Sequence, residues 1–255
     1  MMTNTMPARF GAIIIGDEIL SGKRQDAHLN KVISMLGARG LALSWAEYLG
    51  DDRAQITATL QRTMASSDIV LCFGGIGATP DDQTRQAAAE AANLPIVRHS
   101  GAVAEIEARY GKDAYPKRVL MADFPRDAAL IPNPVNRVPG FSLGRHYFMP
   151  GFPEMAWPMT EWILDTHYAH LFHLHQVAES SILVFDTGES QLLDLMEKIT
   201  RQYPSIKLFS LPRLDERRTI ELGIKGDTTA VANAMQQIQA ALAEAGHPWQ
   251  PVIEG

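Results

Sequence analysis

Between Cys72 and Glu90 the chain reads CFGGIGATPDDQTRQAAAE. Gly74, Gly75 and Gly77 end an apolar run, and glycines there let backbone N–H groups come close to a ligand. An Ala-rich segment follows, so the turn opens a helix, an arrangement whose free N–H groups suit a phosphate. Asp81 and Asp82 stand in the same turn, where a carboxylate would repel that phosphate. One reading is structural. Thr79 would be the helix N-cap with Pro80 at the first helical position, and the two aspartates would complement the helix dipole, Asp82 at the third position as in a capping box. The other reading is chemical. Asp82 and a second acid, Asp51, would hold Mg²⁺, which takes carboxylates together with substrate phosphates. A glycine turn among acids then points to making or cleaving a phosphoanhydride. Lys23, Arg24, Arg53 and Arg85 either add positive charge to such a site or are simply solvated.

These residues need a frame. Phe10–Ile15 (FGAIII) is a short apolar run closed by Gly16, the pattern of a buried strand. Asp26 caps a helix whose apolar positions are Leu29, Val32, Ile33 and Leu36, ended by Gly37 and Gly40. Leu41, Leu43 and Trp45 alternate as a strand closed by Gly50-Asp51-Asp52, with Asp51 also a plausible N-cap for the helix marked by Ile56, Leu60 and Met64. Residues 68–73 form the next strand, 83–92 a helix, 95–97 a weak strand and 102–110 a helix. A proline-rich stretch follows Met121, then a strand at 146–149, the turn Pro150-Gly151-Phe152-Pro153 and a helix to about Asp165. Strand-helix repeats with short connections imply crossover units and a parallel sheet. In such a sheet ligands bind beyond the carboxyl ends of the strands. There the chain places Gly16-Asp17-Glu18, Gly50-Asp51-Asp52, Gly74-Gly75-Ile76-Gly77 and Pro150-Gly151.

Beyond residue 166 the order changes. Residues 167–176 (HYAHLFHLHQ) read as a connector, and 177–250 as a small βαββα domain: a strand at 180–185, a helix at 188–202, two strands at 206–211 and 218–224 that could pair as a hairpin, and a helix at 228–245. The helix face Leu192, Leu193, Met196 and Ile199 is core. His167, His170, His173 and His175 lack nearby carboxylates or cysteines at ligand spacing, which favours a solvated connector over a metal site. Cys72, the only cysteine, lies inside a strand and reads as an inert buried thiol. Arg213, Arg217 and Arg218 read as a solvated turn.

The composition sets outer bounds. With 255 residues, 46% of them hydrophobic, the chain can fill one large domain or a large and a small one. Twenty-nine acids against 23 bases give a net charge of −6, which argues against nucleic acid or an anionic membrane as partner. A single cysteine excludes an intrachain disulfide and fits a reducing compartment. No signal peptide or membrane-spanning run is read, so a soluble cytoplasmic protein is expected.

The ordered motifs IIIGDEILSG (13–22), YLGDD (48–52), GGIGATPDDQT (74–84), PNP (132–134), PGF (139–141) and MPGFPEM (149–155) resemble the molybdopterin-binding domain family, the domain of MogA, MoaB and the gephyrin E domain. Within it they are most similar to the amino-terminal part of the competence/damage-inducible CinA proteins, over roughly residues 8–165, and the βαββα tail is similar to the small domain that follows there. The resemblance implies a three-layer αβα fold. It also implies a phosphorylated ligand, a nucleotide or a pterin such as molybdopterin, bound by Gly16, Asp17, Glu18 and Ser21 after the first strand, by Gly74, Gly75, Gly77, Thr79 and Thr84, and by Pro150 and Gly151. It makes Asp51 and Asp82 the Mg²⁺-linked (or other divalent cation) functional pair. It implies a homo-oligomer. In CinA-like members the domain is associated with pyrophosphatase cleavage of ADP-ribose, and in FAD-synthetase relatives with FAD hydrolysis. Three departures accompany it: Ala78 replaces a usual proline, Asp26-Ala27-His28 replaces a usual Asn-Thr-Asn, and no nicotinamide-mononucleotide amidase domain follows, so deamidation is not expected. Three readings are thus carried forward: a metal-dependent nucleotide pyrophosphatase, a non-catalytic pterin- or nucleotide-binding module serving molybdenum-cofactor biosynthesis, and an oligomeric scaffold.

Overall fold

A computed structural model describes residues 8–174, 177–213 and 217–252, and the chain divides into two compact units between Phe172 and His173. In the first, β1 (Phe10–Ile15) is central and wholly buried. It pairs in parallel with β2 (Leu43–Leu49) on one side and β3 (Ile69–Phe73) on the other. β3 pairs in parallel with β8 (His146–Met149), and β7 (Gly140–Leu143) and β6 (Ala129–Ile131) extend that edge antiparallel, giving the order β2-β1-β3-β8-β7-β6. This is the expected mostly parallel sheet, and the register is close: Ile15 lies opposite Leu49, Ile14 opposite Phe73, and Phe73 opposite Met149. Gly16, Gly50, Gly74 and Pro150 therefore leave the sheet along one edge.

Successive strand residues point to opposite faces, and both faces are covered. Ile13, Ile15, Val70, Cys72 and Phe148 pack with Ile56 and Leu60 of α3 (Arg53–Met64), Ala87 and Ala88 of α4 (Thr84–Ala91) and Ile106 of α5 (Ser100–Tyr110). Phe10, Ile14, Leu71, Phe73 and Met149 pack with Val32 and Leu36 of α2 (His28–Gly37) and Met159, Ile163 and Leu164 of α6 (Pro153–His167). A single-turn α1 (Asp17–Leu20) follows β1 directly. Asp26 does cap α2, its carboxylate accepting from the N–H groups of His28 and Leu29 at 2.8 and 3.0 Å.

Two expectations need correction here. The weak strand at 95–97 is found as β4 (Ile96–Arg98). It does not enter the large sheet, and pairs instead with β5 (Asp123–Pro125) as a separate ribbon. The proline-rich stretch contains strands because Pro132, Pro134 and Pro139 fall between them and Pro125 closes β5. Phe124, Phe141 and Phe148 stack in series with centroids 4.8 and 4.5 Å apart, tying this stretch to the core.

The second unit is an antiparallel sheet, β10 (Lys207–Arg213), β11 (Thr219–Asp227), β9 (Val177–Phe185) and β12 (Trp249–Pro251) in spatial order, with α7 (Glu189–Gln202) and α8 (Thr228–Glu244). β10 and β11 pair as the expected hairpin. β12 extends the βαββα order by one strand: three residues ending in proline carry no strand pattern and are specified only by pairing along β9. Arg213 and Arg217 are each paired with an acid, Glu221 at 2.6 Å and Asp186 at 2.5 Å. Cys72 is buried, and burial pushes its thiol pKa up, so it stays protonated. Among the described residues no helix is long and apolar enough to cross a membrane.

The aromatic series is the joint between the parallel strands and the antiparallel edge. Phe141→Ala is expected to cost about 3–5 kcal/mol, read as a lower urea midpoint at unchanged slope.

Candidate functional site

The edge where β1, β2, β3 and β8 end opens into a cavity of about 430 Å³. Gly16 and Glu18, Asp51, the segment Gly74–Thr79 with Asp81 and Asp82, and Pro150 and Gly151 form one side of it. The other side is more apolar: Tyr110, Met121, Val138, Pro139, Phe152 and Met155, with Asn133 and Asn136. Of the residues expected at the site, Gly16, Glu18, Asp51, Gly74, Gly75, Gly77, Thr79, Asp82, Pro150 and Gly151 meet at this cavity. Asp17 and Ser21 line a shallower concavity beside it, with Lys23 and shared Glu18, Asp51 and Asp81. Thr84 lines neither and is buried beneath the loop.

The glycine loop is set by what holds its carbonyls. The Thr84 hydroxyl donates to the Gly74 carbonyl at 3.0 Å, and the Thr84 N–H to the Gly75 carbonyl at 2.9 Å. The Arg85 guanidinium donates to the Gly77 carbonyl. A trans peptide points its C=O and the next residue's N–H in opposite directions. With these three carbonyls turned toward α4, the N–H groups of Gly75, Ile76 and Ala78 turn away from it. Among the described residues these three, and that of Gly77, donate no hydrogen bond. A row of unpaired N–H groups at a cavity is an anion receptor. Gly74 has φ +105, and a Cβ there would overlap the Ile15 carbonyl oxygen, so this position needs glycine on both counts.

The capping readings are replaced. α4 begins at Thr84, so Thr79 is not its N-cap, and Pro80 and Asp81 lie outside the helix. Thr79 to Asp82 form their own turn: Asp82 N–H donates to the Thr79 carbonyl at 3.0 Å, and the Asp82 carboxylate accepts from the Thr79 N–H at 2.9 Å and from its hydroxyl. After β2 the cap is Asp52, which accepts from Gln55 N–H at 2.8 Å, and this leaves Asp51 for another task. Asp51 accepts from the Asp17 N–H at 3.0 Å while Asp17 accepts from the Asp51 N–H at 3.2 Å, a reciprocal clasp between the turns after β1 and β2. Partial burial raises the Asp51 pKa. The Asp17 N–H lowers it, and the charges of Asp17, Glu18 and Asp81 raise it again.

Of the four bases, Arg24 is the only lysine or arginine among the described residues lining the cavity. Arg53 pairs with Glu90 at 3.0 Å. Arg85 is not a solvated base at all, being 4% exposed. His28, at the departure from the Asn-Thr-Asn pattern, is buried and stacked on Phe73 with centroids 4.5 Å apart, and its Nε2 meets the Gly151 carbonyl at 3.2 Å. It braces the Pro150-Gly151 turn from behind. Sequence reasoning missed the apolar side. Asn133 and Asn136 build its loop, accepting from the N–H groups of Val135 and Val138 and donating to the Val138 carbonyl and the Met155 sulfur. The Asn-Pro-Val-Asn pattern was the available signal, as was an apolar Phe152 in a Pro-Gly-x-Pro turn. Tyr110 and Met121 had none. His167 ends α6 against Trp162 and Tyr147, and His175 lies outside the described residues. No group of three or more His, Cys, Asp or Glu side chains among the described residues is arranged to hold a metal ion.

A mostly parallel sheet between two helical layers, with a glycine-rich loop of unpaired N–H groups at its carboxyl edge, defines a class of α/β domain, and comparison narrows it. Residues 11–170 match the family model described as "Probable molybdopterin binding domain". The chain belongs to this molybdopterin-binding domain family. It is 33% identical over 174 residues to a CinA-like protein of Anaeromyxobacter sp. (65% of this chain, 42% of the relative), and 31% identical over 205 residues to one of Desulforapulum autotrophicum (75% and 48%). The chain therefore spans less than half the length of these relatives. A solved structure titled as the protein CinA with unknown function, from Thermoplasma acidophilum, superposes with a TM-score of 0.57 at 26% identity, covering 62% of this chain and 98% of that one.

Because the folded-state pKa of Asp51 lies above its unfolded value, the native state binds the extra proton in the window just above the ordinary carboxylate range. Stability falls as pH rises through that window. Asp51→Asn, which keeps an acceptor for the Asp17 N–H, is expected to raise the melting temperature at about pH 7 and to have less effect at about pH 4, measured by thermal scans at both values.

Proposed function

We propose that the cavity binds a phosphorylated nucleotide- or pterin-type ligand, with a phosphate on the N–H groups of Gly75, Ile76 and Ala78 and the planar ring against the apolar side, and that it cleaves a pyrophosphate linkage in ligands of the ADP-ribose or FAD kind. The observation that carries the binding part is the row of unpaired N–H groups, held open because the carbonyls of Gly74, Gly75 and Gly77 are engaged by Thr84 and Arg85. Tyr110, Phe152, Met121 and Met155 offer the apolar and aromatic surface that suits a heterocycle.

The acids fit Mg²⁺ by chemistry. They are hard oxygen donors, and Asp51 carries the unfavourable company of Asp17, Glu18 and Asp81, which a divalent cation relieves. Asp51 and Asp82 would hold it. Mg²⁺ needs only one or two protein carboxylates when substrate phosphates complete its shell, so a three-ligand cluster is not required. Bound there, it would neutralise phosphate charge in the transition state. In place of holding the cation, one of the two acids would orient the attacking water and accept its proton. That water's oxygen attacks one phosphorus, the bridging P–O bond breaks, and two phosphate monoesters leave, one of them AMP. Glu18 lines the same cavity.

A second reading, a non-catalytic binding module, is favoured by one observation: the Asp82 carboxylate is already committed to Thr79 N–H and hydroxyl within its own turn. Incubation with ADP-ribose and FAD in Mg²⁺ separates the two. The expected outcome is AMP release by the wild type, and loss of at least about a hundredfold in rate for Asp51→Asn and Asp82→Asn with ligand binding retained, read by chromatography and calorimetry. Binding without release from either substrate would leave the module.

A further inference from the structure

Arg85 follows Thr84 on α4 and is buried, its guanidinium spread over three carbonyls: Gly77 on one side, Leu120 and, at 3.1 Å, Asp123 on the other. Its Nε has no partner. Among the described residues it forms no ion pair. Asp123, the acid whose charge it feels most, is itself held by Arg98, with Nη2 3.1 Å from Oδ2. Burial pulls the Arg85 pKa down while Asp123 and Asp82 pull it up, and an arginine stays charged in proteins regardless. Neutral carbonyls do not call for a charged donor, and a buried charge without a counter-charge destabilises a fold. The natural place for the missing negative charge is the loop that Arg85 holds.

We propose that Arg85 is the positioning residue of the phosphate loop, turning the Gly77 carbonyl inward so that the Ala78 N–H faces the cavity, and supplying from beneath the positive charge that a bound phosphate completes. The proposal rests on the phosphate reading above. It also answers how a loop among acids attracts an anion: the compensating base is buried behind the loop, on the helix that follows. Because this charge is shielded from solvent, it is screened by salt far less than Arg24 or Lys23.

The test is calorimetric titration of inorganic pyrophosphate and orthophosphate into the full chain and into R85K and R85Q. A Coulomb contribution grows with ligand charge. R85K, which keeps the charge, is expected to bind pyrophosphate within about threefold of wild type, and R85Q about tenfold or more weakly, a gap of about 1.4 kcal/mol. R85Q is expected to lose less for orthophosphate. A brace with no electrostatic role would weaken both ligands equally and would gain nothing from lysine, so equal losses overturn the proposal. So does R85Q binding like wild type, which leaves the phosphate reading standing. If R85Q fails to give a cooperative melt, R85K decides: retained pyrophosphate binding supports the role and a tenfold loss ends it. Wild type binding neither anion would remove the phosphate reading and this proposal together.

Discussion

The site depends on where three backbone carbonyls go. A loop that leaves a buried strand must satisfy its polar groups or lose about 1–3 kcal/mol for each one buried unpaired. Here α4 receives the carbonyls of Gly74, Gly75 and Gly77 through a hydroxyl, an N–H and a guanidinium. Peptide planarity then leaves the opposite N–H groups to the cavity, and among the described residues nothing else engages them. The loop thus presents free N–H groups because its back is tied, and only secondarily because it is rich in glycine. The glycines make the tie geometrically possible: a Cβ on Gly75 would overlap the Thr84 hydroxyl, and one on Gly77 the Asp82 carboxylate.

The acids obey a separate constraint. Asp17 and Asp51 exchange backbone-to-carboxylate hydrogen bonds and lock two turns together, which fixes carboxylates beside one another despite their repulsion. Partial burial first, and then the charges of Asp17, Glu18 and Asp81, push the Asp51 pKa up. Such a cluster is tolerated at a half-exposed sheet edge, where solvent screens it. Anion receptor and acid wall share one cavity without cancelling because they are made of different atoms: backbone N–H groups in one case, side-chain oxygens in the other.

The sheet's role is to bring these turns to one place. Parallel pairing in near-exact register puts the ends of β1, β2, β3 and β8 level, and both faces are sealed by helices, so the strand ends are the open route to the backbone. The antiparallel addition of β7 and β6 then supplies the wall that carries Asn133, Asn136 and Val138. The aromatic series joins the two parts of the sheet.

Much of this was legible in the chain. The strand-helix alternation, the glycine turns after each strand and the acids beside them follow from hydrophobic period and from the backbone freedom of glycine, which are local properties. Hence the parallel sheet and the collection of Gly16, Asp51, Gly74, Asp82 and Gly151 at one edge could be read before any coordinate. Three things could not. Asp51 and Asp52 are adjacent and chemically identical, and only the entry angle of α3 decided that Asp52 caps the helix and Asp51 clasps Asp17. Arg85 and Arg53 are both arginines on helices flanking the site, and only the packing of the 118–125 segment over α4 buried one and left the other exposed. Tyr110, Met121 and Phe152 come from three segments distant in the chain that meet only in the folded structure. The sequence by itself determined which elements form and which residue types stand at their ends, because those choices depend on neighbours along the chain. The tertiary structure alone decided which of two equivalent side chains caps a helix or is buried and which lines the cavity or stays exposed, because that depends on partners tens of residues away.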